Sequence, residues 1–351
     1  MEDNKIKIGI THGDINGISY EIIIKTLMDT RINELCIPVV YGSAKVAAYH
    51  RKALNIENFS LNIIRDAEKV NGKRPNIINC LTDNVRVELG KSTSIAGEAS
   101  LVALQKAAED LKNNKIDALV TAPINKDNIQ SEDFQFPGHT EFLAQHFGTD
   151  EDVLMLMVSD LMRVGVVTGH IPLKDVPGQI SIEKILRKLR TLNQTLIRDF
   201  KIEKPKIAIF GLNPHASDGG VIGDEEEKII QPAVQKAKDE DIFAFGPYPA
   251  DSFLGADNIR KFDAILAMYH DQGLAPFKAL AFDEGVNYTA GLNIIRTSPA
   301  HGTAYELAGK NEASVTSFRK ALFLALDLYK NRKEYEELAS DPLEYNDKMD
   351  I

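Results

Sequence analysis

Short apolar runs alternate along this chain with longer stretches in which apolar positions recur every three or four residues. KIKIGIT, CIPVVYG, NIIRD, IDALVTA, VLMLMVS, MRVGVVTG, KIAIFG, FDAILAMY and VNYTAGLNII read as strands, each too short for a helix and edged by turn-forming or polar residues. Between them, SLVALQKAAEDLKNN sets Leu101, Leu104, Ala108 and Leu111 on one helical face with charges on the other. ISIEKILRKLRTLNQTLIRDF, EEEKIIQPAVQKAKDE and SFRKALFLALDLYKN follow the same rule. Ser94 and Ser181 stand where helix-start residues are expected. Strand–helix alternation predicts an α/β fold with mostly parallel sheets covered on both faces.

The 351 residues exceed one comfortable core, so two lobes are expected. No repeat or low-complexity linker separates them, which predicts lobes interleaved through crossing strands. Hydrophobic content of 44% and charged content of 26% are those of a soluble globular protein. A net charge of −10 argues against nucleic acid as the main partner. It does not argue against a small anion held by a few local cations. No basic-then-apolar leader opens the chain and no apolar run is long enough to span a bilayer, so a cytoplasmic protein without membrane partners is expected. The two cysteines, Cys36 and Cys80, read as reduced thiols.

The candidate chemistry lies in three histidines. His170 in VGVVTGHIP, His215 in IAIFGLNPHASDGG and His270 in AILAMYHDQG each follow a strand-like run. In an open α/β sheet, residues just past the strand carboxyl ends converge on the ligand crevice. Three imidazoles delivered there can hold a divalent metal and leave a position open for substrate. One such histidine alone would read as a capping or packing residue; three in the same context, from eight histidines in all, point to a metal site. The wide gaps between them exclude a zinc finger. His50 and His146 lack that context and read as ordinary helix residues. No G-x-G-x-x-G follows any strand, so a dinucleotide would need a different loop.

RTSPAHGTAYELAGKNEAS (Arg296 to Ser314) resembles the adenosine-binding loop of the isocitrate/isopropylmalate dehydrogenase superfamily. GDINGISYE, TAPINK, GHTEFLA, NPHASDGGVIGDEE, GPYPADSF, MYHDQGLAPFK and GVNYTAGLNIIRTS stand in the same order as in one family. Over nearly the whole chain, from Lys5 to about Lys330, they resemble the PdxA family, the 4-hydroxythreonine-4-phosphate dehydrogenases of vitamin B6 biosynthesis.

That resemblance implies a two-lobed α/β/α fold with the site in the cleft between lobes: residues 1–130 plus 285–351 in the first lobe with the cofactor loop, residues 131–284 in the second with metal ligands and dimer contacts. It implies metal ligands His170, His215 and His270, substrate contacts His139, Thr140, Lys278, Asn287 and Arg296, and cofactor contacts His301, Gly302 and Thr303. It further implies a homodimer with the site at the subunit interface, one divalent ion (Zn, Co or Mg), and NAD or NADP. Imidazoles suit Zn, Co or Ni better than Mg, and the absence of an Arg within HGTAYELAGK favours NAD. The implied reaction oxidises 4-phosphooxy-L-threonine to 2-amino-3-oxo-4-phosphooxybutanoate, which decarboxylates to 3-amino-2-oxopropyl phosphate. A related phosphorylated hydroxy acid, such as 4-phospho-threonate or -erythronate, is the alternative substrate. A phosphotransacetylase-like acyltransferase is the alternative of another class. Asp251 and Asp271 are the candidates for an oxygen ligand or general base.

Three departures from the family pattern stand out. GDINGISYE lacks the usual prolines, which puts the rigidity of that loop in question. Ala300 replaces an Asp common before H-G-T-A. Ser217 replaces a Gly in the motif that carries His215, and Asp218 replaces a Glu.

Overall fold

The computed structural model describes residues 5–340 except 83–84, 131–135, 137, 149–152 and 256. The terminal stretches of the expected first lobe, and 131–135 at the start of the second, therefore lie outside the described residues. The strands, in chain order, are β1 (Lys7–Thr11), β2 (Ile37–Gly42), β3 (Asn62–Ile64), β4 (Asn76–Asn79), β5 (Ala118–Thr121), β6 (Leu154–Val158), β7 (Arg163–Thr168), β8 (Ile207–Phe210), β9 (Ala244–Tyr248), β10 (Ala264–Tyr269), β11 (Val286–Ala290) and β12 (Arg296–Pro299). The longer helices are α1 (Ser19–Leu27), α2 (Ala44–Ala53), α3 (Ser94–Lys112), α4 (His139–Phe147), α5 (Ile182–Arg198), α6 (Gln231–Asp239), α7 (His270–Ala281) and α8 (Thr316–Ser340).

Among the described residues, twelve strands join one sheet, in the order β3-β4-β2-β1-β5-β12-β11-β6-β7-β10-β8-β9. The two outer parts are parallel, as strand–helix alternation requires. The centre is not: β12–β11, β11–β6 and β6–β7 are antiparallel. The chain leaves one half after β5, builds the other from β6 to β10, and returns through β11 and β12 to pair β12 beside β5. Crossing strands thus weld the two halves together, the interleaving expected from the missing linker.

The nine strands read from the sequence all form. β4, β9 and β12 were not expected. Each is only four or five residues long, and β12 reads RTSP, polar in composition yet wholly buried. In α3, Leu101, Leu104, Ala108 and Leu111 are buried as their spacing predicts. Its cap is Thr93, whose hydroxyl accepts from the Ala96 N–H, and Ser94 is the first helical residue. Ser181 caps α5 as expected, accepting from the Lys184 N–H. That helix buries Ile185, Leu189, Leu192 and Leu196 against the sheet. His50 is structural, buried with Nε2 2.7 Å from the Ile15 carbonyl, and His146 bonds back to the Phe142 carbonyl. Cys36 and Cys80 are free thiols. No helix among the described residues is long and apolar enough to cross a membrane.

Candidate active site

The substrate-side residues converge because three elements end at one place. α4 begins immediately after Gly138, so His139, Thr140 and Glu141 occupy its first turn. In α7, His270, Leu274 and Lys278 fall four apart, on one helical face. Gly273 lets that helix lie close on the sheet, since a Cβ there would come within 2.8 Å of Val164. Gln272 fixes its start: the side chain accepts from the Met268 N–H at 2.7 Å and donates to the Gly211 carbonyl at 2.6 Å. Antiparallel β11 and β12 add Asn287 and Arg296. Met155 and Met157, two apart on β6, share one face and supply an apolar wall.

These side chains line one cavity of about 300 Å³ together with Lys126, His170, Ala300, His301 and Gly302. It therefore gathers all five expected substrate contacts, two of the three expected cofactor contacts and two of the three expected metal ligands. Thr303 does not line it; its carbonyl accepts from the Ile18 N–H at 3.0 Å, and a Cβ on Gly17 would sit 2.5 Å from that oxygen. Thr303 thus ties the His301 loop to the first motif. That motif is held without its prolines. Buried Asp14 accepts from the Asn16 N–H, from Asn128 and from the Tyr305 hydroxyl, while the Asn16 side chain pins Glu88, Lys91 and Thr93.

Arg296 is 3% exposed and sits among neutral partners. Its Nε and Nη2 donate to the Thr121 hydroxyl at 3.0 and 2.6 Å, and Nη1 to Thr289 at 3.2 Å. Burial lowers its pKa to about 10, partly offset by the charge of Glu141. It still carries its charge at neutral pH, and among the described residues no carboxylate is bonded to it. Burial also pushes His139 well below the ordinary imidazole range, and the charges of Arg296 and Lys126 add to that. Three buried polar atoms of the lining have no partner: Nε2 of His139, Oδ1 of Asn287 and Nε2 of His301. A buried polar group without a partner is costly; the two imidazole nitrogens could meet a polar ligand as donor or acceptor, whereas Asn287 Oδ1 calls for a donor such as a ligand hydroxyl or ammonium group.

Of the metal candidates, His170 and His270 have ring centroids 5.4 Å apart. Nδ1 of His270 lies 2.7 Å from Asp271 Oδ1, which leaves Nε2 with the free lone pair. His170 has Glu141 3.7 Å from Nδ1 and Lys126 Nζ 3.5 Å from Nε2. Burial would raise the Glu141 carboxyl, but His170 and Lys126 bring it below its ordinary value. His215 does not join them. It is exposed, in a left-handed run with φ of 55° at His215, 51° at Ala216, 69° at Ser217 and 47° at Asp218. Each such non-glycine residue costs about 1–2 kcal/mol, so the Gly-to-Ser departure at 217 adds strain. Glu226 braces this turn from beneath, accepting from the Leu212 and Asn213 N–H groups at 2.7 Å. Among the described residues, no group of three or more His, Cys, Asp or Glu could hold a metal. Of the three histidines expected as ligands, the described residues bring His170 and His270 together and leave His215 apart. Asp251, exposed on the short helix Ala250–Gly255, and Asp271 do not line the cavity. Lys126 and Glu141 do, and sequence reasoning passed over both although they stand in the quoted TAPINK and GHTEFLA motifs.

An α/β enzyme with its cavity past the strand carboxyl ends is the class that this fold and site define. The family model for pyridoxal phosphate biosynthetic protein PdxA matches residues 34–325. A 4-hydroxythreonine-4-phosphate dehydrogenase of Bacteroides thetaiotaomicron is 51% identical over 353 aligned positions, covering 100% of this chain and 96% of that one. Crystal structures of proteins of that name superpose closely. The one from Klebsiella pneumoniae has a TM-score of 0.80 at 31% identity over 93% of this chain and 98% of its own. The one from Burkholderia phymatum has 0.75 at 36% identity over 93% and 99%. The chain belongs to the PdxA family.

Proposed function

We propose that this protein is an NAD(P)-dependent dehydrogenase that oxidises 4-phosphooxy-L-threonine to 2-amino-3-oxo-4-phosphooxybutanoate, the precursor of 3-amino-2-oxopropyl phosphate. The observation that carries this reading is Arg296, a buried guanidinium with no bonded carboxylate among the described residues, in one cavity lining with Lys278 and Thr140. That arrangement fits a phosphate dianion, which accepts several charge-assisted hydrogen bonds at once. His139, kept neutral by burial, offers a hydrogen bond to a hydroxyl without adding charge.

A nicotinamide cofactor would accept the hydride. It fits over Gly302, where a Cβ would meet nothing within 4 Å, and beside the unpartnered Nε2 of His301. A divalent ion, when bound, would acidify the substrate hydroxyl and polarise the new carbonyl. His170 and His270 would hold it through Nε2, Asp271 fixing the second ring. The third ligand, His215, would come from a second copy in a homodimer. What supports this is its exposure and its neighbours: Val221 and Ile222 on its own loop, and Ile171 and Leu173 after His170, are exposed apolar side chains of the kind that interfaces cover. The two lobes would then be the two halves of the sheet, 1–130 with 285–351 and 131–284.

The test is turnover of 4-phosphooxy-L-threonine, 4-phospho-threonate and 4-phospho-erythronate with NAD or NADP, followed by NADH or NADPH absorbance with and without added Zn²⁺ or Co²⁺. Turnover of the amino acid well above that of the hydroxy acids is expected, and the reverse order would transfer the assignment to them. Mixing inactive His170→Ala and His215→Ala chains should restore part of the activity through mixed dimers. A fully active monomer in light scattering would refute the shared site.

A further inference from the structure

On the far side of the sheet from the substrate cavity, at the amino ends of β1 and β5, a second concavity encloses about 400 Å³. Lys5, Lys7, Lys330 and Lys333 line it, and Asp117 is the only carboxylate among its lining residues. A chain of net charge −10 gathers four ammonium groups there. Asp117 is already engaged: one oxygen accepts from the Lys7 N–H at 2.7 Å, the other from the Tyr329 hydroxyl at 3.0 Å. Lys5 donates to the Asn33 carbonyl at 3.0 Å. Elsewhere lysines meet carboxylates, as in Lys115–Asp66, Lys201–Glu334 and Lys320–Asp160. None of the four around this cavity has an ion-pair partner among the described residues.

Like charges converging on one concavity repel, and an anion there reverses the sign of the interaction. The volume falls within the range of small-molecule pockets, roughly 300–1,000 Å³. Ile6 and the Tyr329 ring give a carbon skeleton something to rest on. Tyr329, Lys330 and Lys333 follow one another on a single turn of α8, so one helix presents two of the cations together. We propose that this cavity binds a small anion bearing a phosphate group, at a site separate from the one that contains Arg296. The two lie at opposite ends of β5: Asp117 lines one, Ala122 the other, roughly 15 Å apart along the strand.

The test is calorimetric titration of the metal-loaded protein with inorganic phosphate and, separately, with glycerol 3-phosphate. Wild type, Lys330→Gln/Lys333→Gln and Arg296→Ala are compared. Wild type should show two sites per chain. Arg296→Ala should keep the lysine site, and the double lysine variant should bind there about tenfold more weakly, as two exposed charge contacts of about 0.7 kcal/mol each would give. Its turnover should be unchanged, since neither lysine touches the substrate cavity. Tighter binding of the monoester would identify a phosphorylated metabolite as the occupant, and equal binding would identify free phosphate. Lys5→Gln/Lys7→Gln serves as the second variant should the first lose its fold. A lysine variant that titrates as wild type does, or an Arg296→Ala protein that binds neither anion, would overturn the proposal. Failure of the catalytic assignment would leave this result untouched, because the lysine variants are read by binding.

Discussion

Replacing Arg296 by alanine separates what the guanidinium does for the ligand from what it costs the fold. Its pKa, lowered by burial to about 10, corresponds to a desolvation penalty on the order of 3 kcal/mol. Hydrogen bonds to the Thr121 and Thr289 hydroxyls offset only part of this. A substrate phosphate would restore the missing counter-charge, and a charge-assisted contact of that kind contributes roughly 1.5–3 kcal/mol. Arg296→Ala should therefore lower kcat/KM for 4-phosphooxy-L-threonine by about 10- to 150-fold. It should hardly change kcat/KM for the dephosphorylated analogue, so the preference for the phosphorylated form should collapse. Arg296→Met, which removes the charge and keeps most of the volume, should melt no lower than wild type without ligand. Steady-state rates with both substrates and a melting curve suffice. If the phosphate preference survives in Arg296→Ala, the phosphate sits elsewhere; if Arg296→Met loses several degrees, the arginine is a structural residue.

Gly302→Val should raise the cofactor KM far more than the substrate KM while leaving the melting temperature alone, because a Cβ there meets only open space in the protein; equal effects on both constants would move the dinucleotide off this loop. His12 and His50 are buried and neutral, with pKa values pushed down by burial to about 4 from 6.5. The unfolded chain therefore binds more protons between these values, and stability should fall as pH drops from about 6.5 towards 4, by roughly 3 kcal/mol per histidine. His12→Phe should flatten that slope in urea melts; an unchanged slope would contradict it. Arg332→Met should cost about 3–5 kcal/mol in a urea midpoint, since buried Asp199 would lose donors at 2.9 and 3.1 Å and keep only Tyr288 and Arg198.

Where one residue type carries its own signal, the sequence could be read. Val, Ile and Leu runs marked nine strands because a buried strand needs apolar side chains on both faces. β12 escaped because its Arg296 is buried against the Thr121 and Thr289 hydroxyls of neighbouring strands and its Thr297 against the Ala321 carbonyl, and no local pattern encodes that. The antiparallel centre escaped for a different reason. Strand direction follows from where the chain returns, and the return through β11 is a tertiary event. His170 and His270 line one cavity, as their shared context implied, because they follow neighbouring parallel strands, β7 and β10. Lys126 and Glu141 escaped because only the folded chain brings the segment after β5 and the first turn of α4 against the His170 ring.

His215 shows the limit most clearly. Its motif follows β8, which pairs with β10, so position along the sheet would place it with the other two. The backbone turns it outward instead. Six successive residues, from His215 to Gly220, hold positive φ, and four of them are not glycine. Such a run persists only when its surroundings over-determine it, here through the buried Glu226 carboxylate gripping Leu212 and Asn213. The fold thus spends strain and a buried charge to present one imidazole to the outside, beside exposed Val221 and Ile222. Among the described residues no hydrogen bond holds the His215 ring, and the homodimer proposed above would give that imidazole a role in the site of a second copy.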